Sequence, residues 1–139
     1  MMDMNHSIVE TRTTKMWLDD EGIIRIITKP GVTKQTLSDA VENMEMVDKL
    51  RQGKKRPLFI DIRAAMSTDA EGRRYYSRTE LAENFSAGAF IVGSPLSRVI
   101  GSLFMGISKP PFPVKLFDSP EKALEWLRDF LDKEIENEK

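Results

Sequence analysis

Apolar residues fall in short clusters along this chain, and the spacing inside each cluster distinguishes strand from helix. Lys15–Leu18 and Ile23–Thr28 flank Asp19-Asp20-Glu21-Gly22, a turn whose glycine can take positive φ, so the pattern predicts a hairpin. Lys29-Pro30-Gly31 ends the second strand, and Thr33 or Thr36 can cap a helix with Leu37, Val41, Met44, Val47 and Leu50 on one face, ending near Gly53. Pro57–Ile62 and Ala87–Val92 are unbroken apolar runs suited to strands buried on both faces. Between them, Ser67 or Thr68 is expected to cap a helix running from Asp69 to Glu83. Gly93-Ser94-Pro95 opens a third helix, whose stripe Leu96, Val99, Ile100, Leu103, Phe104 and Ile107 is expected to cover the sheet, with Gly101, Ser102 and Met105 off it. Lys109–Pro113 holds three prolines and reads as an extended connector into strand Val114–Phe117. The last helix starts at Asp118-Ser119-Pro120 and presents Ala123, Leu124, Leu127, Phe130, Leu131 and Ile135.

This strand and helix alternation predicts an α/β domain with a mixed sheet of about five strands and about four helices. Residues 14–135 form that single domain, residues 1–13 read as a flexible segment or an edge strand at Ile8 and Val9, and residues 136–139 as a frayed tail. The length, 139 residues, leaves no room for a second sizeable domain, and 40% apolar with 31% charged residues is a globular composition. A net charge of −1 supplies no field toward nucleic acid or anionic lipid. The one basic run, Lys49 to Arg56, has no interleaved aromatic for base stacking, so nucleic acid is not an expected partner. Absence of cysteine excludes disulfides and thiolate metal sites and fits a cytoplasmic setting. No apolar run approaches the roughly 20 residues of a membrane span, and no signal peptide is evident.

The loops after the two buried strands should share the sheet edge where open α/β sheets commonly bind ligands. They carry Asp61, Arg63, Ser67, Glu71, Arg73 and Arg74 on one side and Ser94 and Arg98 on the other. Backbone donors at the Gly93-Ser94-Pro95 helix start, with Arg98 one turn along, suit a phosphate or carboxylate. Capping by Ser94 and ion pairing of the arginines with Asp61 or Glu71 is the more ordinary use of the same residues. Asp61 interrupts an apolar strand and is expected to form an ion pair rather than to act as a catalytic acid. His6, the only histidine, falls in the segment read as a loose N-terminus, so no Ser-His-Asp arrangement with Ser67 or Ser94 is expected. Asp19-Asp20-Glu21 lacks the spacing of a cation loop, and neither metal nor cofactor is expected. Phe104, Met105 and Phe112, on the third helix and the proline-rich connector, are the candidate apolar surface or pocket.

The element order, together with PLFIDIRAAMSTDAEGRRYY, VGSPLSRVIGSLFMG and KPPFPVKLFDSPEKALEWL, resembles the STAS superfamily, and within it the small stand-alone SpoIIAA-like proteins, from about Trp17 to Leu131. In anti-sigma-factor antagonists of that superfamily, a D-S-S-G motif carries a phosphorylatable serine. Here the matching stretch is Asp69-Ala70-Glu71-Gly72, which keeps the aspartate and glycine and lacks both serines. Glu71 brings one fixed charge where phosphoserine would bring nearly two. A more distant resemblance to the CRAL-TRIO fold implies an apolar pocket. The first functional expectation is therefore a non-enzymatic SpoIIAA/STAS-like binding or regulatory domain acting through protein contacts, including self-association as a homodimer. An apolar-ligand or lipid carrier is the alternative, and an anion-responsive or enzymatic site at the sheet edge comes third.

Overall fold

The computed structural model describes the backbone of residues 7–64, 66–106 and 110–138. A six-stranded mixed sheet runs in the order β1-β2-β3-β5-β7-β8. Its strands are β1 (Val9–Glu10), β2 (Thr14–Leu18), β3 (Ile24–Thr28), β5 (Arg56–Asp61), β7 (Phe85–Ile91) and β8 (Val114–Phe117). The first three are antiparallel neighbours, whereas β3, β5, β7 and β8 are parallel. The hairpin turn is held by Asp19, whose Oδ1 accepts from the backbone N–H of Glu21 (2.9 Å) and Ile23 (3.0 Å), and by Gly22 at φ 98°.

Successive parallel strands advance in one direction across the sheet. Right-handed crossovers then put α1 (Leu37–Arg51), α2 (Ala70–Tyr76) and α3 (Pro95–Gly106) on one face. α4 (Pro120–Glu138) covers the other, packing Ala123 and Leu127 against Phe59, Ala87, Ala89 and Ile91. Thr36 caps α1 in a capping box with Asp39.

Three details depart from the sequence pattern. Ser67 and Thr68 do not cap α2: they form a short strand, β6, parallel to β4 (Lys34–Gln35), and Asp69 caps the helix through a 2.8 Å bond from Gly72 N–H. The predicted 69–83 helix ends at Tyr76 and gives way to a 3-10 turn over Thr79–Glu83. The largest departure is α3, where Leu96 and Val99 are 59% and 58% exposed and Leu103 is exposed as well. Ile100 of the same stripe is buried as expected, and Ser97 and Gly101 face inward beside it. A Cβ at Gly101 would lie 2.9 Å from Leu116 Cδ2, so α3 settles on its small residues beside Ile100 and turns Leu96, Val99 and Leu103 outward, while the side chains of Phe104 and Ile107 lie outside the described residues.

Candidate functional site

A cavity of about 100 Å³ lies between the sheet and the α1, α2 and α3 layer. Its apolar wall includes Met16, Ile26, Leu58 and Ile60 from the sheet, Met44 and Val47 from α1, Ile100 from α3, and Phe112 from the connector. Alternation along β5 sends Leu58 and Ile60 to this side and Phe59 to the α4 side. The register of β7 against β5 shifts at Arg56 and Pro57, consistent with Phe85 reaching the α1 side while Ala87 packs toward α4. Phe112 lines it edge-on to Phe85, with ring centroids 5.9 Å apart.

The remaining lining includes a polar wall whose Thr14, Gln35, Asn43 and Thr68 are buried. Asn43, on the inner face of α1, donates from Nδ2 to Gln35 Oε1 (2.7 Å), Thr13 Oγ1 (3.0 Å) and Tyr76 OH (3.2 Å). Its Oδ1 accepts from Thr11 Oγ1 (2.6 Å) and Thr14 Oγ1 (3.3 Å). Tyr76 OH donates to Gln35 Oε1 at 3.0 Å, and Gln35 Nε2 donates to Thr68 Oγ1 at 2.9 Å. The β4 and β6 pairing, which sets Gln35 opposite Thr68, makes the last bond possible. Burial raises the Tyr76 phenol far above its ordinary pKa, so it stays neutral and serves as a hydrogen-bonding hydroxyl. Behind this wall, Arg12 grips Asp39 through Nε and Nη2, each at 2.7 Å, and holds that carboxyl at about 2 despite its burial. Thr36 adds smaller contributions in the same direction.

The residues expected at the sheet edge are engaged locally. Asp61 accepts from Arg63 Nη2 (2.7 Å), Arg63 Nε (3.0 Å) and the Arg63 backbone N–H (3.0 Å), and this pairing raises the guanidinium pKa. The Arg63 side chain lies over Gly93, where a Cβ would come within 3.1 Å of it. At the start of α3, Ser97 Oγ accepts from the N–H groups of Gly93 and Ser94, both at 2.9 Å, and Ser94 Oγ accepts from Ser97 N–H at 3.0 Å. An anion at this helix start must compete with bonds the chain already makes. Arg98 is 3.8 Å from Asp118, while Ser67 Oγ and Arg73 Nη1 donate to the carbonyls of Thr33 (3.2 Å) and Thr68 (2.6 Å). Glu71 and Arg74 are exposed on α2. Of the apolar candidates, Phe112 lines the cavity and Met105 is half-buried on α3, whereas the Phe104 side chain lies outside the described residues.

Sequence reasoning missed Asn43, Gln35 and Tyr76. The available signal was Asn43 itself, one turn from both Ala40 and Val47, where a polar residue interrupts the buried side of a helix. No helix among the described residues is long and apolar enough to cross a membrane.

Residues 16–131 match the model of a family described as Domain of unknown function (DUF7793). No match was found among curated proteins. A solved structure from Shewanella loihica PV-4, an uncharacterized protein from the DUF3478 family with a SpoIIAA-like fold, superposes with a TM-score of 0.52 at 18% identity. The alignment covers 88% of this chain and 91% of that one, a likeness of fold.

Proposed function

This chain belongs to the DUF7793 family and has a SpoIIAA-like fold, and from that premise we propose that it is a non-enzymatic binding domain that takes up one small, uncharged, largely apolar molecule in its interior cavity. The observation that carries this reading is the cavity itself, about 100 Å³ walled by apolar side chains with a buried amide and hydroxyl network at one end. Its volume decides the ligand's size. An engineered apolar cavity of roughly 150 Å³ accepts benzene, while pockets for drug-sized ligands run to roughly 300–1,000 Å³. The fit is therefore to a single ring or a short branched chain, not to a lipid tail. Among the described lining residues Tyr76 is the only titratable one, and its raised pKa leaves the site without a base near neutral pH, which favours binding over catalysis.

Xenon titration followed by methyl NMR tests the reading. Selective, saturable shifts at Met44, Ile60 and Met66 are expected, and shifts spread evenly over the surface would overturn it. Native mass spectrometry before and after denaturation then identifies any molecule carried from the cell.

A second reading, contact between two copies of this chain, is favoured by the outward stripe of Leu96, Val99 and Leu103. Arg98 and Asp118 are both exposed and loosely paired at 3.8 Å, which suits exchange across a two-fold axis. Met105 is half-buried, so Val99→Glu is the sharper probe. Sedimentation should show a weakened dimer, and a monomeric parent protein would end this reading.

A further inference from the structure

The hydrogen-bond inventory of the polar wall specifies the ligand further, an argument that rests on the cavity reading. The two amide oxygens on this wall are fully subscribed. Asn43 Oδ1 takes two threonine hydroxyls, and Gln35 Oε1 takes Asn43 Nδ2, Tyr76 OH and, at 3.4 Å, Thr13 Oγ1. Those donors also fix the orientation of the Gln35 amide, because the reverse orientation would set its NH2 against Asn43 Nδ2.

Donors, by contrast, are in surplus. Gln35 has two N–H bonds, of which one goes to Thr68 Oγ1 at 2.9 Å. Thr68 Oγ1 is the acceptor of that bond, so its own O–H and the second Gln35 N–H have no partner among the described residues. Both residues line the cavity and are buried, and a buried donor gains from any acceptor brought to it. Charge narrows the class again. No Lys, Arg, His, Asp or Glu is among the described lining residues, so nothing offsets the desolvation of an ionised ligand.

We infer that the ligand is an uncharged carbonyl compound of single-ring or short-chain size, its oxygen accepting from Gln35 Nε2–H and Thr68 Oγ1–H and its hydrocarbon lying among Met16, Leu58, Ile60 and Phe90. A neutral ketone, aldehyde, lactone or amide meets that description. A carboxylate does not, and neither does a plain hydrocarbon that leaves the donor pair unmatched.

The experiment compares cyclopentanone, cyclopentane and cyclopentanecarboxylate by methyl and side-chain amide NMR titration of the full chain at neutral pH. Cyclopentanone should bind tightest and shift the Gln35 amide, with cyclopentane weaker by roughly thirtyfold, the worth of two neutral hydrogen bonds. Thr68→Val, which leaves only the Gln35 donor, should cut that preference to roughly fivefold, and Thr68→Ser, which keeps the hydroxyl, should restore it. Equal affinity for cyclopentanone and cyclopentane overturns the carbonyl inference and leaves the cavity reading standing. Tighter binding of the carboxylate overturns it as well. Failure of all three compounds, together with absence of the xenon shifts, overturns both.

Discussion

Replacing Asn43 by alanine tests whether the polar wall holds the fold together. The side chain accepts two hydroxyl bonds and has three acceptors within reach of its two N–H bonds, so about four hydrogen bonds are lost. At about 1 kcal/mol each, the gross loss is about 4 kcal/mol. Two effects reduce it. Alanine is the better helix former by about 0.6 kcal/mol, and the Thr11 hydroxyl can turn to Thr14 Oγ1, already 2.9 Å away. A net destabilisation of about 2–3 kcal/mol is expected, read as a lowered urea midpoint with an unchanged slope by far-UV circular dichroism. Tyr76→Phe removes one hydroxyl of the same network, and the two substitutions should be non-additive by about 1 kcal/mol, since residues sharing partners couple. A loss below about 1 kcal/mol for Asn43→Ala, or additivity of the pair, would refute the network as a unit of stability.

The Asp39 carboxyl, 8% exposed and held at about 2 chiefly by its hydrogen bond from Arg12, titrates below its unfolded value of about 3.9. Its contribution is therefore complete above about pH 4 and is lost as pH falls through 2. Arg12 is 55% exposed, and solvent screening discounts the shift to about 1–2 kcal/mol. Asp39→Asn should cost that much at pH 7 and flatten the stability profile between pH 4 and 2, whereas an unaltered acid slope would assign the acid loss elsewhere. The Arg128 and Glu21 pair at 2.7 Å links α4 to the hairpin turn with both partners partly exposed, so Arg128→Ala should leave the melting temperature nearly unchanged. A larger loss in thermal melts would show packing by the Arg128 stem. Phe112→Ala removes a lining ring and should cost about 2–4 kcal/mol while admitting a larger ring such as naphthalene, checked by urea titration and NMR. Unchanged ligand size selection would mean that Phe112 does not bound the site.

The order of strands and helices was legible because periodicity is a local property. Period-two and unbroken apolar runs gave the hairpin and the three parallel strands after it, and helical spacing located the helices, although Asp69 rather than Ser67 or Thr68 caps α2. Asp61 and Arg63, two residues apart, were readable as a pair for the same reason. Beyond that range the sequence failed in specific places. Thr11, Thr13 and Thr14 meet Asn43 across some 30 residues, and Tyr76 meets Gln35 across 41. The Gln35 and Thr68 pairing exists only because two loops form an extra two-stranded sheet.

Composition and periodicity by themselves determined an α/β domain with its strands in order, because each element's burial pattern is written within a few consecutive residues. The packed structure decided which side of α3 faces inward, since Ser97 and Gly101 permit an approach that the bulkier stripe does not. It also decided that a seven-residue α2, set between two longer helices, coincides with a cavity of about 100 Å³. Volume and hydrogen-bond surplus belong to the gaps between elements, and no single element encodes them.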